Sequence, residues 1–321
     1  MRTHWSDRER LNPELYKLNC NETLDTHLNK EINKFIQGLD CDDITQYPDI
    51  KGAYLAVAEI MNCDPYKILL TSGADGAIYS VLQSVRPDSL NINIPTYGMV
   101  SVYCNMLGID VKSYMYRKHS NRFIPTPIDN TNATYIATPE NTTGVIYNIK
   151  TVRELCERCE MVIIDDTYNN YISEHNKLID EYNNLFLIKS FSKTSGVAGL
   201  RIGCVLTCID NIDKLYQFRP MFEINSVACQ YLKYIKNNLS ILDKTRENIR
   251  AGKELLESYL VSKKYTVYET YGNYVLVDYD PQLYDNLRKT AYIKKLTIDS
   301  NEYIRVTSAS TDIIENIINE I

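Results

Sequence analysis

Between residues 67 and 207 the chain alternates short β-rich apolar runs with helical patterns, and that alternation leaves few folds open to it. Candidate strands lie at 67–71, 91–94, 134–138, 161–165, 185–190 and 201–207. Between the first two, Ile78, Val81, Leu82 and Val85 fall at i, i+3, i+4 and i+7 within 77–85, which is one face of a helix. A second helix is predicted over 149–159, with Asn148 as its N-cap. The pattern predicts an α/β fold whose mostly parallel sheet carries helices on its faces. Residues 161–164 are continuously apolar and run into Asp165-Asp166. A strand buried on both faces ends that way where it reaches the functional edge of a sheet. Ligands of open α/β sheets gather beyond the carboxyl ends of the strands.

Past about residue 210 the character changes. A long helical stretch is predicted over 228–260, then short strands at 265–269 and 274–277. A closing helix over 311–321 carries a stripe of Ile313, Ile314, Ile317, Ile318 and Ile321. This reads as a smaller α+β domain. The expected division is 1–45 as an N-terminal arm and part of the small domain, 46–215 as the large domain, and 216–321 as the rest of the small one.

A length of 321 residues suits two packed lobes or one large α/β domain. The net charge of −6, without a basic patch, points away from nucleic acid. No run approaches the roughly 18 apolar residues of a membrane span. The opening MRTHWSDRER has no apolar stretch of a secretory signal. Nine scattered cysteines then read as reduced thiols of a cytoplasmic protein. Cys156 and Cys159 form a C-x-x-C with no second pair, and His4, His27, His119 and His175 show no ligand spacing, so no metal is expected. No Gly-x-Ser-x-Gly elbow points to a serine hydrolase.

The segment with the most chemistry is Ser190-Phe191-Ser192-Lys193, followed by Arg201 within Gly199-Leu200-Arg201-Ile202-Gly203. Two serines two apart at a strand end point the same way. With Arg201 they offer two hydroxyls and a guanidinium fork, a receptor for a phosphate dianion. Lys193 beside them is either a counter-charge or an amine that condenses with a carbonyl.

SFSKTSGVAGLRIG resembles the Schiff-base lysine segment of fold-type I pyridoxal-phosphate enzymes, close to the histidinol-phosphate aminotransferase group. The resemblance runs over roughly residues 16 to 310, and it implies that Lys193 holds pyridoxal 5′-phosphate. Ser190, Ser192 and Arg201 would hold its phosphate. Ser72-Gly73-Ala74-Asp75-Gly76 is similar to the family's phosphate loop, which would place Ala74 and Asp75 at a helix N-terminus facing the phosphate. Gly76 stands where the family usually has Glu.

Tyr97, in Pro95-Thr96-Tyr97-Gly98, matches the residue that stacks on the pyridine ring. Thr138-Pro139-Glu140-Asn141-Thr142-Thr143-Gly144 resembles the family's Asn-Pro-Asn-Asn-Pro-Thr-Gly loop, with departures at Thr138, Glu140 and Thr142. It implies that Asn141 bonds the phenolic oxygen of the cofactor. Asp165-Asp166-Thr167-Tyr168 resembles Asp-Glu-Ala-Tyr, with Asp165 on the ring nitrogen and Tyr168 at the phenolic oxygen. Asp166 on its own residues reads as a cap for a following helix.

Tyr47, in Tyr47-Pro48-Asp49, matches a residue that reaches the phosphate of the neighbouring subunit, which implies a homodimer. Arg305, in Tyr303-Ile304-Arg305-Val306-Thr307, matches the arginine that grips the substrate carboxylate. The implied function is an aminotransferase moving an amino group between an amino acid, or an amino-acid-derived phosphate ester, and a keto acid. Phospho-amino-acid decarboxylases share these motifs and are the first alternative. A non-catalytic cofactor-binding protein is the second.

Overall fold

The computed structural model describes residues 12–128, 132–193 and 195–320. The first residues of the expected arm, His4, Thr194 of the lysine segment and Ile321 of the closing stripe lie outside the described residues.

The central sheet has seven strands, in the order Ile68–Ser72, Ile202–Leu206, Leu185–Ser190, Val162–Asp165, Ala133–Ala137, Ser89–Ile94 and Asp110–Met115. All neighbours are parallel except Ile202–Leu206, which runs antiparallel to both of its partners. Side chains of a strand alternate between faces, and here both faces are covered. Val162 and Ile164 pack into one apolar cluster with Leu185, Leu187, Cys204 and Leu70. Ile163 packs into the other with Phe186, Ile188, Val205 and Leu69. A continuous apolar run is what a strand between two such clusters requires.

The sequence pattern misses the Asp110–Met115 strand. Its Asp110, Lys112 and Ser113 are exposed, because it lies at the sheet edge where polar residues block further pairing. The predicted helix over 228–260 is two helices, Ser226–Lys236 and Leu239–Ser262, interrupted at Asn237-Asn238. Asn225 caps the first through Ala228 N at 2.8 Å. Its Ala228, Tyr231, Leu232 and Ile235 join the cluster under the large sheet.

A second, four-stranded antiparallel sheet holds Val267–Tyr268, Tyr274–Asp278, Asn301–Thr307 and Lys294–Ile298 in that order. It has its own core of Val275, Val277, Ile304, Val306, Leu256, Ile314 and Ile317. The N-terminal segment belongs against this sheet. Tyr16–Lys17 pairs in parallel with Ala291–Tyr292, Leu24 bridges to Ala309, and Leu18 is buried in the same core. Asp25 then caps the helix Thr26–Gln37 through His27 N and Leu28 N. Among the described residues no helix is long and apolar enough to cross a membrane.

One position tests this packing. Gly252 lies inside Leu239–Ser262, and a Cβ there would meet the Ala309 carbonyl oxygen at 1.8 Å. On an exposed helix Gly→Ala gains about 1 kcal/mol. Gly252→Ala is instead expected to cost about 1–3 kcal/mol through overpacking, read as a lower denaturant midpoint at unchanged slope. A raised midpoint would refute this close approach.

Candidate active site

The carboxyl ends of the parallel strands converge on one cavity. Ala137, Asp165 and Ile188 are register partners across three adjacent strands, and Ser190 pairs with Gly203 on the antiparallel one. Gly73, which opens the helix Gly73–Val85, follows Ser72 on the next strand. The cavity measures about 580 Å³. Its walls bring together Ala74, Asp75, Tyr97, Asn141, Asp165, Tyr168, Ser190, Ser192, Lys193, Arg201 and Arg305. Tyr47 is not among them. It is 83% exposed and stacks on Phe222, with ring centroids 4.5 Å apart.

At one end the helix starts at Gly73, four residues before the predicted helix, so Ala74 and Asp75 stand in its first turn. The first N–H groups of a helix lack intrahelical acceptors and carry partial positive charge. Gly73 has φ +71, and a Cβ on it would come within 2.7 Å of Arg201 Nη2. A Cβ on Gly203 would lie 2.4 Å from the Gly73 carbonyl carbon. Both glycines thus let the helix start, the strand and the Arg201 guanidinium close on one another. Arg201 Nη2 bonds Asp75 Oδ2 at 3.1 Å, and Asp75 Oδ1 accepts from Tyr97 Oη at 2.7 Å. Ser192 stands beyond the strand, and its N–H donates to Ser190 Oγ at 3.2 Å.

In the middle stand Lys193 and Asp165. Lys193 Nζ donates to the Cys20 carbonyl at 2.6 Å, and the Lys193 carbonyl accepts from Thr23 Oγ1. Burial pushes the Lys193 ammonium down to about 8. Asp165 accepts from Tyr135 Oη at 2.8 Å and from Thr167 N at 3.1 Å. Burial still raises its pKa, against those hydrogen bonds. A buried carboxylate in that state is stabilised by a cationic N–H partner.

At the far end Arg305 is buried, with Nη1 on the Asn141 carbonyl at 2.6 Å and Nη2 on the Asn19 carbonyl at 2.9 Å. Asn21 Nδ2 donates to Tyr168 Oη at 2.9 Å, and burial pushes that phenol up to about 12. Lys294 also lines this end, and its pKa is lowered by burial and then by Arg305.

Asn19, Cys20, Asn21, Glu22 and Lys294 line the cavity without having been marked in the sequence. They arrive through tertiary pairing: Asn21 N donates to Thr307 Oγ1 at 2.9 Å and Thr307 N to the Leu18 carbonyl at 2.9 Å. Asn21 has φ 55, a conformation Asn tolerates better than most residues, and that is the one local hint. Asp166 does not cap a helix. It is buried against Lys189 Nζ, His175 Nδ1 at 3.1 Å and Ser173 Oγ at 2.8 Å.

The geometry suits a flat cofactor with an anionic group at one end and a basic ring nitrogen. The helix start and Arg201 suit the anion, Asp165 the ring nitrogen, Lys193 an aldehyde carbon. Comparison with known proteins agrees. The family model for aminotransferase class I and II matches residues 13–321. A histidinol-phosphate aminotransferase of Pyrococcus furiosus is 28% identical over 278 residues, covering 83% of this chain and 79% of the relative. The solved histidinol-phosphate aminotransferase of Sinorhizobium meliloti, in complex with pyridoxal-5′-phosphate, shares 16% identity and the fold, at TM-score 0.79 over 95% of this chain and 89% of that one. So does L-threonine-O-3-phosphate decarboxylase of Porphyromonas gingivalis, at 18% identity and TM-score 0.79 over 95% of this chain and 98% of that one. With a match from residue 13 to residue 321, the chain belongs to the class I and II aminotransferase family, whose cofactor is pyridoxal 5′-phosphate.

Proposed function

We propose that this enzyme transfers the amino group of an amino acid, or of an amino-acid-derived phosphate ester, to a keto acid, with Lys193 as the cofactor-bearing and proton-moving residue. The observation that carries the reading is a single cavity bounded by Lys193, Asp165, the Gly73 helix start with Arg201, and Arg305. Pyridoxal phosphate supplies an aldehyde that takes the amine and a ring that draws electrons from the substrate's Cα. The helix start, Ser190, Ser192 and Arg201 are assigned to its phosphate, Tyr97 to one ring face, Asn141 and Tyr168 to the phenolic oxygen. The Asp165 carboxylate keeps a proton on the ring nitrogen. Lys193 Nζ would move a proton between the substrate's Cα and the cofactor's former aldehyde carbon, acting as general base and acid. Arg305 is assigned to the substrate's anionic group, where a bidentate fork fixes its orientation.

Lys294 beside Arg305 puts a second cation at the substrate end, which suits a doubly charged group such as a phosphate ester. The histidinol-phosphate aminotransferases among the relatives fit that chemistry. Tyr47 is assigned to the neighbouring subunit's phosphate in a homodimer. Its exposure beside Ile44, Met221 and Phe222, all exposed, supports an interface there. Nine free thiols suit a reducing compartment, hence the cytoplasm.

The test is a screen of amino donors, including histidinol phosphate and dicarboxylic amino acids, followed by the spectral change of the bound cofactor and by keto-product assay. Release of carbon dioxide in place of a keto product would make the enzyme a decarboxylase. Arg305→Gln is expected to raise KM for the best donor on the order of 10²-fold, the usual cost of removing one partner of a buried charge pair. An unchanged KM would take Arg305 out of substrate binding.

A further inference from the structure

We infer that Glu140, through the turn whose Asn141 carbonyl meets Arg305, sets how firmly Arg305 holds an anionic substrate, and that the hold weakens when Glu140 is ionised. The inference rests on Arg305 being the substrate's anion receptor. Glu140 is one of the positions where the chain departs from its family's loop, and it is fully buried.

Its Oε2 accepts three hydrogen bonds, from Thr142 N at 2.8 Å, Thr143 N at 2.6 Å and Thr143 Oγ1 at 2.9 Å. Those bonds fold residues 140–144 into a fixed turn, closed by Gly144 N on the Glu140 carbonyl at 3.1 Å. The turn presents the Asn141 carbonyl to Arg305 Nη1 at 2.6 Å. A second link runs through Tyr274. Its hydroxyl donates to the Glu140 carbonyl, and its ring lies 5.4 Å from the Arg305 guanidinium carbon. Glu140 Oε1 and Arg305 Nε are both buried and have no hydrogen-bond partner among the described residues. A carboxylate and a guanidinium therefore sit one peptide and one ring apart, each with an unused polar atom.

Tyr116, Tyr135, Tyr147, Tyr168 and Tyr274 lie within electrostatic reach of Glu140 as phenols whose pKa values are raised, and the Arg305 guanidinium acts on it as a cation. Burial pushes the Glu140 carboxyl up to about 7, against its three hydrogen bonds and Arg305. Below that pH the carboxyl is neutral and the charge of Arg305 is available to an incoming anion. Above it, a second negative charge in a low-dielectric region competes with the substrate for the same guanidinium. The capping bonds need only an acceptor oxygen, so they survive in either state.

Glu140→Gln separates the two roles, because its amide oxygen can take the same three bonds while the charge is gone. The probe is succinate, a dicarboxylate that carries no amine or carbonyl to react. Its affinity for holoenzyme and apo-protein would be measured by calorimetry from pH 6 to 8.5, with KM and kcat of the best donor beside it. In the unsubstituted protein succinate affinity should fall severalfold relative to Glu140→Gln as pH rises through about 7, with the difference in KM and not in kcat. Parallel pH curves for the two proteins overturn the role of Glu140 and leave Arg305 as the receptor. No succinate binding to either protein at any pH removes Arg305 as receptor, and this inference with it.

Stability gives a readout independent of activity. A carboxyl raised in the fold costs stability as pH rises from its ordinary value of 4.5 to about 7. The midpoint gain of Glu140→Gln over the parent should therefore open across that interval and level off above it. A gap that is constant with pH overturns the buried titration.

Discussion

Replacing Lys193 with alanine is expected to abolish turnover and, with it, the visible absorption of the protein-bound cofactor. Loss of a positioned acid–base group alone lowers rates by about 10²- to 10⁴-fold, and here the same amine is assigned to holding the cofactor. The physical case is the state of that amine. An ordinary lysine is charged at neutral pH and is a poor base. Burial pushes Lys193 down to about 8, and its Nζ donates to the Cys20 carbonyl at 2.6 Å.

A neutral amine is therefore accessible in mildly alkaline solution, and cofactor uptake by apo-protein should quicken as pH rises through about 8. Lys193→Arg is the deciding control. It keeps a cation and removes the condensing amine, so it should be as inactive as Lys193→Ala. Full activity in Lys193→Arg would make this residue a counter-charge for phosphate.

The second large effect lies one residue beyond Asp165. Asp166 is buried against the buried Lys189 ammonium and His175 Nδ1, with Ser173 and Asn169 completing the set. Burial raises the Asp166 carboxyl, but Lys189 and His175 outweigh it and hold it below its ordinary value. Its contribution is present above the ordinary carboxylate range and is lost as pH falls through the lowered pKa.

Asp166→Asn leaves Lys189 buried without its counter-ion, which costs about 3–5 kcal/mol. Lys189→Met in the same background should recover a large part of that loss, since the stranded charge is then gone. Denaturant midpoints of the two single variants and the double variant measure both terms. A cost below about 1 kcal/mol for Asp166→Asn would show that the pair is solvated. The carboxylate at 166 thus serves packing, although its neighbour at 165 faces the cavity.

Much of this was legible in the chain. Asp165 could be placed at a strand end because a buried parallel strand is a continuous apolar run, and the first polar residue after that run marks the sheet edge, whereas Ser190 stands one place further, after the buried Lys189. The lysine segment could be read because phosphate recognition needs hydroxyls and a guanidinium at fixed spacing. The arm residues could not be read. Asn19, Asn21 and Thr23 are polar, without period, and their partners Arg305, Tyr168 and Lys193 lie more than a hundred positions away. Lys294 was equally silent, because a lysine on a strand looks the same whether it meets water or a cavity.

Sequence alone determined the layered α/β core, the family resemblance and the residues at the strand ends. These follow from period-2 burial and from local spacing, both properties of neighbours along the chain. Tertiary structure decided that Asn19 and Asn141 carbonyls hold Arg305, that Asp166 is a structural ion and that Glu140 is buried in the turn that meets Arg305. Those outcomes depend on desolvation and on partners brought together by the second sheet. Burial energy is a property of the assembled fold, and no residue type announces it in advance.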